Sequence, residues 1–343
     1  MVPSLCADDD NYWWYIGGNN LMRCPGTTNP NADDCTTVSE NSVTPSDDGF
    51  TWAPRSLTVD VDATGMARGL VLGHKEGAVT AFDFTNDGNY GLDTPGTFIA
   101  AGVVDVIRDV RIHYDSSRDV LKYYVIASGT TGIWDCTSST CSSTGVSHLT
   151  SCRDAFFLSD EEADAPDFYC VNRVNSRAYK CPFSSGSCDD YFTTGSGTDE
   201  ESAARGLDAE YDASGSLIGF AVADTDNHRV SSCGLTGTGC QVVAGTTSSE
   251  AQTDTDATLL SFPVKVVVER EFYNGPTVAY WIGDYNSGGA VPKRLVRCPV
   301  TGDCAVVVTG VSVYSFNIQI AVTTSTTTTT TTTIRTVAIA VRY

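Results

Sequence analysis

Positive charge, histidine and methionine are all scarce in this sequence. Its 21 Lys and Arg residues face 42 Asp and Glu residues, which gives a formal net charge of −21 at pH 7. A surface this acidic repels nucleic acid and anionic membranes, so neither is expected as a partner. With only 4 His and 3 Met residues, the chain has little material for a metal site built from several histidines.

Long apolar runs and helical periodicity are also missing. No run approaches the roughly 18 apolar residues of a membrane-spanning helix, so we expect no such span. A hydrophobic content of 41% with 18% charged residues excludes a disordered acidic tail. Short β-branched or alternating runs, separated by Gly, Asp, Asn, Ser and Thr, predict an all-β fold instead. The G-x-S-x-G, Walker, H-E-x-x-H and Rossmann motifs do not occur.

Cysteine, by contrast, is abundant, with 13 residues. The gaps within the close pairs are too long for zinc motifs and favour disulfides, which places the protein in an oxidising extracellular or cell-surface compartment. The predicted hairpin pairs are Cys24–Cys35, Cys136–Cys141, Cys181–Cys188, Cys233–Cys240 and Cys298–Cys304. Cys152 and Cys170 are predicted to pair, and Cys6 is left unpaired or intermolecular, although the sequence leaves open which of these three is unpaired.

The N-terminal residues do not resemble a secretory signal peptide, because they lack a basic segment and an apolar core. We therefore expect either that a leader was removed or that the chain is a piece of a longer precursor. No Asn lies in an N-x-S/T sequon, so N-linked glycosylation is not expected.

A four-stranded unit recurs along the chain. In its clearest copy the strands are 263–270, 277–285, 294–299 and 304–310, and cysteines close strand three and open strand four. First strands are predicted to begin at 56, 109, 154, 205 and 263. A repeat of about 40–50 residues with four strands is typical of a β-propeller blade.

The two chain ends supply the parts of one more blade. Residues 11–40 match strands two to four, and Tyr314–Val322 matches a first strand. We therefore predict a six-bladed ring over 11–322, closed by pairing of Tyr314–Val322 with Tyr12–Gly18, since an open ring would leave unpaired edges.

The segment GFAVADTDNHRVSSCGLTGTGCQVVAG at 219–245 resembles an NHL repeat. The hallmark of that family is a strand ending in Asp, followed by a turn with Asn-His-Arg-Val or Asn-His-Arg-Ile. Asp224, Asn227, His228 and Arg229 occupy those positions, and the resemblance implies a structural role for them. It also implies a propeller fold of the NHL type but no particular activity, because such propellers include hydrolases, lyases and binding modules.

Several acidic residues fall on or beside predicted first strands, which line the central channel of a propeller. A calcium ion bound by these oxygens is conceivable, although a solvated acidic surface is the favoured interpretation. The candidate ligands are Asp60, Asp62, Asp109, Asp208, Asp212 and Glu269, and His113 lies on a first strand as well.

The C-terminal tail contains a run of eleven Ser and Thr residues at 323–333, after an N-terminal extension at 1–10 and the propeller. Its composition predicts a linker carrying O-linked glycans. The candidate hydroxyls are those of Thr323, Thr324, Ser325, Thr326, Thr327, Thr328, Thr329, Thr330, Thr331, Thr332 and Thr333.

Residues 334–343 then alternate as a half-buried strand does. The predicted assembly strand consists of Thr336, Val337, Ala338, Ile339, Ala340 and Val341. Strand addition to another copy would produce a head-to-tail homopolymer; the alternatives are a strand covering its own ring and the opening of a further domain.

Two classes of function follow. The sequence favours a non-enzymatic extracellular structural protein, a propeller subunit of a fibre or surface polymer that needs no cofactor. The alternative is a secreted NHL-like enzyme, a lyase or hydrolase, or a ligand-binding module.

Overall fold

A computed structural model gives the fold. The residues it describes are 12–17, 20–25, 36–38, 54–62, 67–75, 77–83, 97–101, 107–127, 133–137, 140–144, 155–158, 167–172, 177–182, 188–194, 200–201, 203–246, 256–270, 274–285, 293–309, 319–327 and 330–338. Almost all of their regular structure is β-strand. Within these ranges, no helix has the length and apolar character needed to cross a membrane.

Five sheets of four or five strands follow one another along the chain as blades. Blade 1 contains β4 (Pro54–Val61), β5 (Ala67–His74), β6 (Ala78–Asp83) and β7 (Thr97–Ala101). Blade 2 contains β8 (Ile107–Tyr114), β9 (Val120–Ala127), β10 (Ile133–Cys136) and β11 (Cys141–Ser143). Blade 3 contains β12 (Ala155–Leu158), β13 (Phe168–Asn172), β14 (Arg177–Cys181), β15 (Asp189–Thr194) and the short parallel β16 (Glu200–Glu201).

Blade 4 contains β17 (Gly206–Tyr211), β18 (Leu217–Asp224), β19 (Arg229–Gly234) and β20 (Gln241–Gly245). Blade 5 contains β21 (Pro263–Arg270), β22 (Thr277–Asp284), β23 (Arg294–Pro299) and β24 (Ala305–Thr309). The first strands β4, β8, β12, β17 and β21 lie side by side in that order, as the inner strands of a propeller do. The predicted all-β propeller and its five complete four-stranded repeats are therefore confirmed.

The predicted six-bladed ring is wrong, because the structure has five blades. The N-terminal strands β1 (Tyr12–Gly17), β2 (Asn20–Pro25) and β3 (Thr36–Val38) form a sheet of three strands. Residues 319–322, the described part of the predicted closing strand, belong to β25 (Gln319–Thr327), which pairs with β26 (Thr330–Ala338). The partner next to it in sequence replaces the distant N-terminal strand, since closing a short loop costs less entropy.

This C-terminal hairpin, β25 and β26, lies between the last blade and the N-terminal sheet: β25 is beside β21, and β26 is beside β1. The predicted Thr-rich linker supplies half of its paired residues, as expected from the high β propensity of threonine. Thr328 and Thr329, and the assembly-strand residues Ile339 to Val341, lie outside the described residues.

The hydrophobic core lies between blades rather than under one sheet. Successive clusters join blades 2 and 3, blades 3 and 4, and blades 4 and 5. In the cluster between blades 3 and 4, Tyr169 and Tyr191 surround Phe220 at ring-centroid distances of 4.4 Å and 5.6 Å. Each blade therefore depends on its neighbours for burial.

Four of the predicted hairpin disulfides are present: Cys136–Cys141, Cys181–Cys188, Cys233–Cys240 and Cys298–Cys304. Each joins the third strand of a blade to the start of its fourth. Cys170 is also disulfide-bonded. The Cys24–Cys35 bond, Cys6 and Cys152 fall outside the residues whose side chains are described. Four disulfides indicate an oxidising, secreted compartment.

We expect the double variant Cys233→Ala/Cys240→Ala to lose about 2 kcal/mol of unfolding free energy, because a short closed loop restricts the unfolded chain. Urea unfolding without reductant measures this loss. As a control, reductant should destabilise the parent protein more than the double variant. Equal stability of the two proteins without reductant would contradict this account.

Candidate functional site

A group of buried charged side chains occupies the centre of the ring. Asp109 and Arg111 come from β8, Asp208 from β17 and Lys265 from β21. The Lys265 Nζ lies 4.0 Å from Asp109 Oδ2, and Arg111 Nη2 lies 3.2 Å from the same oxygen. We call these four residues the central cluster; it joins blades that are not neighbours in sequence.

Asp208 connects the central cluster to the backbone of the next blade. Its carboxylate accepts hydrogen bonds from the backbone N–H of Val268 at 2.7 Å and from Arg270 Nη2 at 3.2 Å. It also accepts one from the N–H of Ala209 at 2.9 Å. These bonds fix the position of β21 beside β17.

Little empty space remains among these side chains. The cavity at the central cluster has a volume of ≈ 10 Å³ and is also lined by Leu57, Leu207, Val266 and Val267. That volume holds about one water molecule. Among the described residues, the space between these paired charges is therefore too small for a substrate.

Burial lowers the pKa of Lys265 from its ordinary value. The Asp109 carboxylate opposes this effect, Arg111 adds to it, and Asp208 again opposes it. A buried ammonium is costly unless it is paired. The carboxylates of the central cluster are therefore needed to keep Lys265 in place.

We expect Asp109→Asn to reduce the unfolding free energy by about 3–5 kcal/mol, because Lys265 and Arg111 would lose a buried counter-charge. Adding Lys265→Met should recover part of that loss, since the uncompensated ammonium is then removed. Urea unfolding of the single and double variants gives both values.

The matched control is Asp135→Asn, which breaks the ion pair of Asp135 with Lys122. About a quarter of each of these side chains is exposed, so the cost should stay below about 1 kcal/mol. Equal losses for Asp109→Asn and Asp135→Asn would refute the proposed importance of the central cluster.

The other predicted calcium ligands are dispersed. Glu269 accepts hydrogen bonds from Arg297 Nε at 2.7 Å and Trp281 Nε1 at 2.8 Å. Asp212 caps a surface turn by accepting from the N–H groups of Ser214 and Ser216. Asp60 bonds Arg68 Nε at 2.9 Å, as described further below.

The remaining two candidates are His113 and Asp62. The buried His113 ring lies 5.6 Å from that of Tyr124, and Asp62 is half-buried in the loop after β4. In the part of the chain that is described, no three His, Cys, Asp or Glu side chains cluster as metal ligands. The calcium site stays a prediction.

The NHL-like turn is built around a buried ion pair. Asp224 ends β18 and Arg229 begins β19, and the two residues are direct cross-strand partners. Arg229 Nε lies 2.6 Å from Asp224 Oδ2, and both side chains are fully buried. Asn227 Nδ2 donates to the same carboxylate oxygen at 2.8 Å.

His228 adopts a left-handed conformation, with φ 54°, where the turn ends. Its Nδ1 contacts the carbonyl oxygen of Ser261, and its ring lies edge-on to Phe262 at 5.6 Å. Thr225 Oγ1 donates to the Pro263 carbonyl at 2.7 Å. The turn of blade 4 thereby holds the segment that leads into the first strand of blade 5.

Blade 5 repeats this buried Asp–Arg pair. The resemblance to an NHL repeat is clear in the sequence of blade 4 only. Arg294 Nε lies 3.0 Å from Asp284 Oδ2, and Asp284 also accepts from the N–H groups of Ser261 and Phe262. In blade 3 the backbone pairs Asn172 with Arg177 at the same position. The common signal is a polar residue ending strand two and an Arg beginning strand three.

A second buried polar contact joins blades 4 and 5 and was not predicted. Glu210 accepts hydrogen bonds from Ser232 Oγ at 2.5 Å and from the Tyr280 hydroxyl at 2.6 Å. Burial raises the pKa of Glu210, and the two hydroxyls oppose this shift. Asp208 and Glu210 lie two residues apart on β17, so the alternation of the strand could have placed both on the same face.

Because the pKa of folded Glu210 is raised, the folded state binds its proton more tightly than the unfolded state does. The stability that Glu210 contributes should therefore increase as pH falls from 7 to 5. We expect the unfolding free energy of the parent to increase relative to that of Glu210→Gln as pH falls from 7 to 5. Urea unfolding at both pH values measures this difference.

Asp212→Asn is the control, because hydrogen bonds from Ser214 and Ser216 lower the pKa of Asp212. Its contribution should stay constant between pH 7 and 5 and be lost only at lower pH. A parent-to-Glu210→Gln difference that is independent of pH would contradict the proposed shift.

Comparisons with known proteins identify the fold. No family model matches the chain, and no curated protein matches it. Among solved structures, a chain of a nidogen–laminin complex superposes with a TM-score of 0.53 at 9% identity, over 87% of this chain and 97% of that one. A Bacteroides thetaiotaomicron structural genomics protein of unknown function gives 0.48 at 14% identity, over 86% and 70%.

An auxiliary nutrient binding protein from Bacteroides ovatus gives a TM-score of 0.46 at 13% identity, over 76% of this chain and 57% of that one. At such low identities, the similarity to the nidogen–laminin structure supports the propeller fold and nothing further.

Proposed function

We propose that this protein is a non-enzymatic extracellular structural protein, an NHL-like propeller subunit of a fibre or surface polymer. Subunits are joined when β26 of one copy pairs with β25 of the next. The observation that carries the proposal is the C-terminal hairpin, whose two strands form a sheet separate from the five blades. A two-stranded sheet is only marginally stable alone, so such a pair can open at low cost.

Exchange of β26 would preserve every main-chain contact of the hairpin. The antiparallel register runs from Gln319 opposite Ala338 to Thr327 opposite Thr330. A second copy offers the same register, and exchange of an identical element is a low-cost route to assembly. Head-to-tail exchange does not close on itself, so it produces a filament.

The free energy of exchange depends mainly on protein concentration. Burying Val337, Ile339 and Val341 would contribute about 1.5–3 kcal/mol per side chain. Ordering the eight residues 336–343 costs about 1–2 kcal/mol each, so burial of these side chains alone does not hold the strand in place, in the closed hairpin or after exchange. The closed hairpin of a single chain already has the β25–β26 hydrogen bonds. These bonds therefore make no net contribution when the hairpin is replaced by the same pairing between two copies.

Two further features support a structural role. The cavity at the central cluster holds about one water molecule, so a substrate does not fit among these four side chains. The Thr hydroxyls of 323–333 are dense enough for the proposed O-linked glycosylation, which suits an extracellular or cell-surface polymer. Neither feature requires a cofactor.

Deletion of residues 334–343 tests the proposal. We expect the full-length protein to assemble as its concentration is raised, and the truncated protein to remain a folded monomer, because β26 loses its last residues. Light scattering and electron microscopy follow assembly, and thermal unfolding confirms that the propeller is intact. Deletion of residues 1–10, of equal length, is the control and also removes Cys6.

Normal polymerisation of the folded 334–343 deletion would overturn strand exchange. A full-length protein that stays monomeric at high concentration would do the same. Loss of assembly only in the 1–10 deletion would assign the link between subunits to Cys6 or its neighbours.

A further inference from the structure

A cavity of ≈ 360 Å³ lies between blades 1 and 2. It lies at the end of the two blades where their first strands connect to their second strands. The end of β4 and the beginnings of β5 and β9 border it. Its apolar wall includes Leu70 and Phe82, and its polar groups belong to Asp60, Arg68, Asp83, Asp119 and Tyr123. Ligand sites in proteins usually have volumes of about 300–1,000 Å³, so this inter-blade cavity is large enough for a small molecule.

The strand registers show which residues of the other blades correspond to these. Asp60 lies opposite Gly69 in blade 1, as Glu210 lies opposite Gly219 in blade 4. In blade 1, the residue two positions after Gly69 is Val71, and its partner on the third strand is Ala81. At that position blade 4 has Ser232 and blade 5 has Arg297.

Between blades 4 and 5, the corresponding space is closed by hydrogen bonds. The Glu210 carboxylate reaches Tyr280 of the next blade and is also bonded by Ser232 of its own blade. In blade 5, Arg297 donates in the same way to Glu269. A third-strand donor and a long acidic side chain therefore occur together in both blades.

Blade 1 lacks both parts of this arrangement. Asp60 is one methylene group shorter than Glu210, and Ala81 has no hydroxyl to donate. Tyr123, which corresponds to Tyr280, has no hydrogen-bond partner for its hydroxyl among the described residues. The space that Glu210 and Ser232 fill between blades 4 and 5 remains open here, with polar groups around it.

The charge of the inter-blade cavity favours a cationic ligand. Three carboxylates line it against one guanidinium, that of Arg68. Arg68 is already engaged with Asp60 at 2.9 Å and with the carbonyl oxygen of Arg118 at 2.6 Å, and its Nη1 lies 4.0 Å from Asp119 Oδ1, which leaves Asp83 as the carboxylate furthest from compensation. Asp83 and Asp119 are exposed at the opening, so their negative charge faces any entering molecule.

We propose that the inter-blade cavity binds a small organic cation with a primary ammonium group. The ammonium donates hydrogen bonds to the carboxylates at the opening and to the Tyr123 hydroxyl oxygen, and the aliphatic part of the ligand contacts the half-buried side chains of Ala81 and Val120. An organic cation suits these walls better than a metal ion, because half of the lining is apolar. The site is distinct from the C-terminal hairpin and does not depend on strand exchange.

The probe is 1,4-diaminobutane, with uncharged 1,4-butanediol as its comparison, in calorimetric titrations of the full chain at low salt. We expect saturable binding of the diamine with one site per chain, and binding of the diol that is about tenfold weaker or more. Added salt should weaken the binding of the diamine. Absence of saturable diamine binding, or equal binding of the diol, would overturn the proposal.

The double variant Asp60→Glu/Ala81→Ser tests the location. It gives blade 1 the residues that close the space between blades 4 and 5, so we expect it to fill the cavity and abolish diamine binding. Thermal unfolding should show a protein at least as stable as the parent. Undiminished binding in this folded variant would refute the assignment.

A second pair of variants does not depend on that redesign. Asp83→Asn removes an exposed carboxylate at the opening and should weaken diamine binding about tenfold, with no loss of stability. Asp212→Asn removes a carboxylate from a surface turn elsewhere and should leave binding unchanged. If both variants bind the diamine equally, the site is not the inter-blade cavity.

Discussion

The buried ammonium of Lys265 is the contact on which the centre of the ring depends. Among the described residues, the apolar clusters join neighbouring blades, whereas the contact between blades 5 and 2 is made by charged side chains. Lys265 reaches Asp109 across the centre at 4.0 Å, and Asp208 lies beside it. Because these charges are removed from water, each carboxylate stabilises the ring by compensating a cation that would otherwise be buried alone.

Much of the fold could be predicted because the determining signals are local. Strand alternation indicates all five blades, the cysteines at hairpin ends mark blades 2 to 5, and the four observed disulfides join residues close in sequence. Ring closure depends instead on a choice between distant partners. Residues 319–322 pair with residues 335–338. Neither the composition nor the length of these segments indicates that they pair with each other rather than with the N-terminal strand. The Thr run was predicted as a linker from its low complexity, yet threonine is also a good strand former.

The candidate sites were harder to predict, because they are made by neighbouring blades. The acids on first strands were identified, but no local pattern indicated that Lys265, Arg297 and Tyr280 would form hydrogen bonds or ion pairs with them. The Asp–Arg pair could have been found beyond blade 4. Asp224 and Arg229 are close in sequence, whereas a longer connection separates Asp284 from Arg294 and hides the same pairing.

The equivalent first-strand positions show how a repeat protein can vary one contact without changing its fold. Asp60, His113, Glu210 and Glu269 occupy this position in blades 1, 2, 4 and 5. A longer acid with a donor opposite it closes the space between blades, and the gain is stability. The shorter Asp60 opposite Ala81 forgoes that contact and leaves a polar space. Since each described apolar cluster joins one blade to the next, such a change affects one interface and leaves the others intact.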